Sequence, residues 1–328
     1  MIIGVAGITH TPLADRIHPP PATEREFRDA ISCAARTVQE WAPDLTVVFF
    51  ADHLNGFLYD LMPAFCIGIE GESIGDWGTI PGRLDIPEAL ATDCARTCLD
   101  AGMDVAFSYR MRADHGYAQV VEYLAEARPL SLVIPIFINC AAPPRPTFAR
   151  CRALGAAIGR WAEGLDARVL FVASGGLSHD PPSPHLAEVS PEVRKRLVGG
   201  GPASHAERLA RQQNVTRVGR AFFKGESDLR PLNPQWDQAF LESLCASTFD
   251  FPDRWTDDEL TETAGRGSHE IRTWLAAWSA AAIAGTLRTE IGFSKPIPEW
   301  ITACAVATAT PSRASMPGIT NPPAGAVA

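Results

Sequence analysis

The sequence predicts an α/β fold: a central, mainly parallel sheet flanked by helices, with a mostly helical C-terminal part. Three observations carry this. Short apolar runs alternate with amphipathic segments of helical period, each pair a few tens of residues long, which is the rhythm of strand–helix–strand units. Runs such as VVFF (47–50) are apolar at every position, as a strand covered on both faces requires. The composition, 46% hydrophobic and 20% charged over 328 residues, is that of an ordinary globular chain with ample material for a core.

Taken in order, IIGVAGI (2–8) reads as the first strand, and His10-Thr11-Pro12 opens a proline-rich loop reaching Pro21. Thr23 and Glu26 form a capping-box pattern. The helix behind them sets Phe27, Ile31, Ala34, Val38 and Trp41 at spacings of 4, 3, 4 and 3. Leu45 to Ala51 is the second strand, and a glycine-rich stretch, GIEGESIGDWG (68–78), precedes a helix from Pro87 to Ala101. DVAFSYR (104–110) reads as a strand and YAQVVEYLAEA (117–127) as a helix. LSLVIPIFIN (130–139) and RVLFVAS (168–174) are strands on either side of the helix FARCRALGAAIGRWAEGL (148–165). Residues 186–288 are mostly helical, with polar connectors around GGGP (199–202). These parts make one domain, 1–304. The tail 305–328 is rich in Ala, Thr, Pro and Ser, lacks an apolar period, and is expected to be flexible.

The bulk numbers also exclude partners. A formal charge of −9 is the wrong sign for nucleic acid, because phosphate contacts need a basic surface. MIIGVAGITHTPLADR has no basic residues ahead of its short apolar run and does not read as a signal peptide. WLAAWSAAAIAG (274–285) has 12 residues, too few to cross a bilayer, and suits a buried helix, so no membrane partner is expected. Eight cysteines are scattered through apolar segments without a CxxC pair; Cys94 and Cys98, in CARTC, fall on one helix face. They read as reduced, mostly buried thiols of a cytoplasmic protein.

The chemistry-bearing residues gather at strand ends. Of eight histidines, His10 follows the strand 2–8 and His53 follows 45–51 in VVFFADHLNG. His115 follows 104–110 in MRADHGYAQ, and His179 follows 168–174 in ASGGLSHDPP. Open α/β sheets bind ligands beyond the carboxyl ends of their strands, so parallel strands bring these four imidazoles to one edge. One histidine at a strand end is ordinarily a loop residue. Four in the same structural position point to a shared site. His18 and His185 lie in proline-rich loops and His205 in a polar helical stretch, and all three read as solvated. Glu270 follows His269 in GRGSHEIRTWLAAW, where Ser268 reads as an N-cap and a first-turn Glu is stabilised by the helix dipole. Two neutral imidazoles and a carboxylate are also the set that holds non-haem Fe(II) with positions left open. Spacing alone does not choose Glu270 from the other acids.

HTP, ADHLNGF, ADHGYAQ, FINCAAPP, SGGLSHDPP, LNPQWD and SHEIRTW occur in this order. Together they resemble the class III extradiol ring-cleaving dioxygenases. The likeness runs from residue 1 to about Trp300, includes IPEW (297–300), and leaves only the tail outside. The resemblance implies that His10 and His53 bind Fe(II) with Glu270 as the carboxylate ligand. It implies His115 and His179 as the acid and base beside the metal, a catechol with a carboxylate side chain and O2 as partners, and a homo-oligomer. Leu54 stands where a Tyr is expected, and Arg110 and Arg112 replace less basic residues; these departures bear on side-chain specificity.

Asp52 and Asp114, each just before a functional histidine, are candidates to orient an imidazole through its second nitrogen. Neighbours on extended backbone point apart, so neither is expected to touch the histidine that follows it. Solvated loop acids are the equal alternative. Ser174-Gly175-Gly176 resembles a nucleophile turn without the GxSxG context, and its glycines read as room for close backbone approach. Arg110, Arg112 and Arg272 are unranked candidates for the substrate carboxylate. Three rival readings stand: a zinc hydrolase with the same His, His and Glu, a non-catalytic binding protein on this scaffold, and a relative acting on another catechol or an aminophenol.

Overall fold

The computed structural model describes residues 1–126, 129–130, 132–199, 201 and 203–312. Its strands are β1 (Ile2–Ile8), β2 (Leu45–Phe50), β3 (Phe65–Gly68), β4 (Gly71–Ser73), β5 (Gly82–Arg83), β6 (Ala106–Ser108), β7 (Met111–Ala113), β8 (Val133–Ile138), β9 (Val169–Ser174), β10 (Thr286–Ile297) and β11 (Thr302–Ser312). Its α-helices are α1 (Pro21–Trp41), α2 (Glu88–Asp100), α3 (His115–Leu124), α4 (Phe148–Glu163), α5 (Pro191–Gly199), α6 (His205–Phe222), α7 (Pro234–Cys245), α8 (Asp257–Ala264) and α9 (Ile271–Ala281).

Eight strands form one sheet in the order β10-β11-β1-β9-β2-β8-β3-β6. Its centre, β1-β9-β2-β8, is parallel throughout. The antiparallel hairpin β10–β11 extends it beyond β1, and β3 runs antiparallel to β8 on the other side. A small second sheet, β5-β4-β7, lies apart from it. In β2 the period-2 alternation sends Val47 and Phe49 into one core and Val48 and Phe50 into the other. All four are fully buried, worth about 1.5–3 kcal/mol each. The first core lies under α4 and α9, the second under α1 and α3. Every residue of α9 is buried, as its Ala-rich sequence predicts.

Some boundaries differ from expectation. Helix α1 starts at Pro21, with Pro at its first position and no side-chain cap, so Thr23 and Glu26 lie inside it rather than forming its capping box. The stretch 104–110 yields only β6, and a turn leads to β7 in the small sheet; His115 is therefore delivered by β7 and not by the central sheet. The expected flexible tail 305–328 begins too early. Residues 302–312 are β11, flanked by β1 and β10, and their backbone hydrogen bonds tie them into the sheet. The remainder, 313–328, lies outside the described residues. No helix among the described residues is long and apolar enough to cross a membrane.

Candidate metal centre and active site

The carboxyl ends of β1, β2 and β9 meet the start of α9 at one point. His10 Nε2 and His53 Nε2 lie 3.2 Å apart. Glu270 reaches both, with Oε1 3.3 Å from His53 Nε2 and Oε2 3.7 Å from His10 Nε2. The rings of His10 and His53 meet edge-on at 5.0 Å, and His115 stacks on His53 at 4.2 Å between centroids. His179 Nε2 lies 3.6 Å from Glu270 Oε1. All four strand-end histidines and Glu270 thus share one site.

Each ring is fixed through its other nitrogen, and those partners assign the tautomers. His10 Nδ1 donates to Ser174 Oγ at 3.0 Å, whose own hydroxyl is spent on the Gly116 carbonyl. His53 Nδ1 donates to Asp114 Oδ2 at 3.0 Å. Asp114 also accepts from the backbone N–H of His53 and the Asn55 amide, each at 2.9 Å, and caps α3 through Gly116 N at 2.9 Å. His115 Nδ1 donates to Asp76 Oδ2 at 2.7 Å, and its backbone N–H to Oδ1 of the same carboxylate at 2.7 Å. His179 Nδ1 donates to the Leu177 carbonyl at 2.8 Å.

With Nδ1 protonated in His10 and His53, both Nε2 lone pairs face each other and a carboxylate. Only a positive charge relieves that arrangement. The electrostatics show the same demand. Burial pushes the pKa of His10 down to about 3, keeping it neutral although Glu270 opposes this. Burial also pushes His53 down, but Asp114 and Glu270 outweigh it and the net shift is upward. Burial raises Glu270, yet His10, His179 and His53 hold it well below the usual carboxylate range. Two imidazole nitrogens and a carboxylate at these separations could hold a divalent cation and leave positions open. His10, His53 and His115 also bring donor atoms within 4.8 Å of one another. The trio containing Glu270 would also supply the negative charge that a divalent cation draws on.

Two acids flank the site with different duties. Asp52 accepts the backbone N–H groups of Asn55, Gly56 and Phe57, and so winds the loop behind His53. Burial, with Asp114 adding to it, pushes its pKa up to about 7 against those three bonds. Asp114 does the reverse: burial would raise it, but His53 and His115 hold it far below the ordinary value. Leu54 sits in this loop at φ 57°, a strained position for a branched residue, and its carbonyl is clasped by Arg211. Glycine is required on the other side. A Cβ on Gly176 would fall 2.8 Å from His179 Cε1, and the Gly176 N–H donates to Glu270 Oε2 at 2.7 Å. A Cβ on Gly267 would overlap His179 Nε2 at 2.1 Å.

The site opens into a cleft of about 810 Å³, its mouth included. Its remaining walls come from Asp76 and Trp77, from α6 and from the Trp300–Thr302 turn. Several expectations need correction. Ser268 does not cap a helix; it lies in a 3-10 turn and donates to Gly265 O. Arg272 is fully buried, stacked on Phe148 and bonded to Asp257, His269 and Pro146 O, so it cannot meet substrate. Arg110 and Arg112 line a separate groove by β6 and β7, and Arg112 pairs with Glu72. His185 is half-buried rather than solvated, whereas His18 and His205 are exposed. Sequence reasoning missed Asp76, Arg208 and Arg211, and named Ser174 only in a nucleophile-like turn, without its contact to His10. Of the three residues missed outright, only Asp76 left a trace, the polar DWG step closing the glycine-rich stretch.

A fold of this kind, with His, His and Glu converging beyond parallel strands, is that of an α/β protein with a candidate metal site. The chain belongs to the LigB family, described as the catalytic LigB subunit of aromatic ring-opening dioxygenase, whose profile matches residues 4–305. It is 46% identical over 313 residues to a 2,3-dihydroxyphenylpropionate/2,3-dihydroxicinnamic acid 1,2-dioxygenase of Rhodococcus sp, covering 94% of this chain and 98% of the relative. Proteins of the same name from Rhodococcus jostii RHA1 (43% identical, 94% and 98% covered) and Paraburkholderia xenovorans LB400 (44%, 90% and 93%) are similar over nearly their whole length. A solved structure of an uncharacterised Escherichia coli K12 protein shares the fold at TM-score 0.52 and 14% identity, covering 93% of this chain and 99% of that one. The protein is an extradiol ring-opening dioxygenase.

Proposed function

We propose that the enzyme is Fe(II)-dependent and opens 3-(2,3-dihydroxyphenyl)propanoate, and its propenoate analogue, beside the diol. The propanoate and O2 give 2-hydroxy-6-oxonona-2,4-diene-1,9-dioate, with both oxygen atoms retained in the product. The names of the relatives support the substrate. The observation that carries the chemistry is the convergence of His10 Nε2, His53 Nε2 and the Glu270 carboxylate within 3.2–3.7 Å. These three residues are the metal ligands in this reading. The neutral nitrogens and hard oxygen suit Fe(II), which when bound supplies open positions for the catechol oxygens and O2 and the electron transfer between them.

The rest is the work of the chain. A catechol hydroxyl must lose a proton as it binds. His179 is the base, because Nδ1 is pinned as donor to Leu177 O and Nε2 is left with a lone pair. Burial lowers its proton affinity, but Glu270 and the Leu177 carbonyl raise it above the ordinary histidine value. Oxygen–oxygen cleavage later needs a proton. His115 is the acid: Asp76 accepts its Nδ1–H and fixes the ring, which leaves Nε2 free to deliver a proton. Gly176 N–H orients the Glu270 carboxylate. The free state of all eight cysteines supports a reducing cytoplasm, and the same reading includes a homo-oligomer.

The test is anaerobic loading with Fe(II), then addition of the propanoate and O2. One mole of O2 consumed per mole of yellow ring-opened product is expected, with no activity restored by Zn(II). Metal bound without oxygen uptake on this substrate or on a catechol panel would refute the reading.

A further inference from the structure

The cleft has a second wall whose chemistry the metal centre does not use. Helix α6 contributes Arg208, Arg211, Gln212 and Val215 to it. We propose that Arg208 binds the side-chain carboxylate of the substrate and sets the preference for acidic catechols; this rests on the ring-opening function proposed above.

The two arginines differ in what they already hold. Arg211 donates to the His53 carbonyl at 2.8 Å, to Asn55 Oδ1 at 3.3 Å and to the Leu54 carbonyl at 3.4 Å. It clamps the loop that carries His53 and is a positioning residue. Arg208 spends one N–H on the Ala203 carbonyl at 2.8 Å. Among the described residues no carboxylate lies within 4.0 Å of it, and the adjacent Glu207 is turned back to the Ser204 N–H in a capping box. A guanidinium has five N–H donors in a planar fork, so Arg208 keeps an unsatisfied, half-buried edge suited to a carboxylate.

No internal anion competes for it. Asp76 is the one acidic side chain lining the cleft among the described residues, and both its oxygens serve His115. The field of α6 points the same way: the helix carries Arg208, Arg211, Arg217 and Arg220 against Glu207 alone, on a chain of net charge −9. The substrate is thus held at two ends, its diol among the histidines and its carboxylate at Arg208. Arg110, Arg112 and Arg272 are elsewhere, which leaves Arg208 as the free cation of this cleft among the described residues.

The experiment compares 3-(2,3-dihydroxyphenyl)propanoate with 3-propylcatechol, which has the same ring and no carboxylate, on wild type, Arg208→Gln and Arg208→Lys. In Arg208→Gln the ratio of kcat/KM for the acid over the neutral catechol should fall roughly 10- to 100-fold, through KM, with partial recovery in Arg208→Lys. An unchanged ratio, or equal loss on both substrates, overturns the assignment. Calorimetry with 3-phenylpropanoate, which carries the carboxylate alone, reads the contact without turnover. If the wild type turns over neither catechol, the functional reading fails, and calorimetry still decides: binding lost in Arg208→Gln sustains the carboxylate site, and no binding by wild type overturns it.

Discussion

The two walls of the cleft are built on opposite principles. On the metal side His10, His115 and His179 are buried and His53 is half-buried, and the second nitrogen of each ring is held: His10 by Ser174, His53 by Asp114, His115 by Asp76 and His179 by a backbone carbonyl. On the α6 side the arginines are half-buried or exposed, on a helix whose polar residues run nearly all round it. The difference teaches where precision is needed. Metal binding and proton transfer depend on sub-ångström placement, which only packed strand ends and shared carboxylates provide. Recognition of a remote carboxylate depends on charge and tolerates a compliant support.

The largest expected effects therefore lie on the metal side. Glu270→Ala should lose Fe(II), read by metal analysis after desalting, and with it all ring opening. Full metal retention would remove Glu270 from the ligand set. His115→Ala should keep its iron and lose roughly 10²–10⁴ in rate, the usual worth of a placed acid. Iron lost from that variant would instead make His115 a ligand. The next effect is one layer out. Asp114→Asn keeps the cap on α3 but turns an amide towards donors of His53 and Asn55, so Fe(II) affinity should drop roughly 10–100-fold. An unchanged metal titration would show that the carboxylate does not tune His53.

Legibility in the sequence followed the same division. The parallel strands were readable because β2, β8 and β9 are buried on both faces and so carry unbroken apolar runs. The histidines were readable because strand polarity alone sends His10, His53 and His179 to one edge. The β10–β11 hairpin was not. In β11, Ala303, Ala305, Ala307 and Ala309 face the core that holds Trp274 and Trp278, and small side chains are what that packing admits. Alanine carries little strand signal, so the run read as tail. The contacts of Asp76 and Ser174 were hidden for another reason. Each residue contacts a histidine far away in sequence, and no spacing rule connects Asp76 to His115 or Ser174 to His10. The orienting role of Asp114 was anticipated, but its partner is His53 across the chain. Its own neighbour is held by Asp76.

A further prediction concerns the support beneath His179. Asp237 accepts from the Ser178 N–H and hydroxyl, each at 2.7 Å, and so anchors the loop next to His179. Burial pushes its pKa from 3.8 up to about 6, partly opposed by Ser178. The folded protein then holds a proton that the unfolded chain has released between those values. Stability linked to this group is greatest below the lower value and declines as pH rises through the higher one. Asp237→Asn removes the dependence. Relative to wild type, the variant should gain about 2–3 kcal/mol between pH 4 and pH 7 in denaturant titrations, whatever its absolute stability. A difference that stays flat with pH would mean that Asp237 is ionised throughout.

The smallest effect tests whether the α6 wall acts at a distance as well as by contact. Arg217 and Arg220 lie outside the cleft, in a neighbouring groove with Arg16 that shares Trp77 and Gln212 with it. Among the described residues they bond to none of His10, His53, Glu270 and Arg208, so they can influence an anionic substrate only through their field. In Arg217→Gln/Arg220→Gln, kcat should hold, while kcat/KM for the acid falls about 2- to 10-fold at low salt. The deficit should vanish near 0.5 M salt, where the Debye length is only about 4 Å. 3-Propylcatechol should show no deficit at any ionic strength, because a neutral molecule is not steered. A deficit that persists in high salt would place these arginines in contact with substrate and extend the recognition wall beyond the cleft.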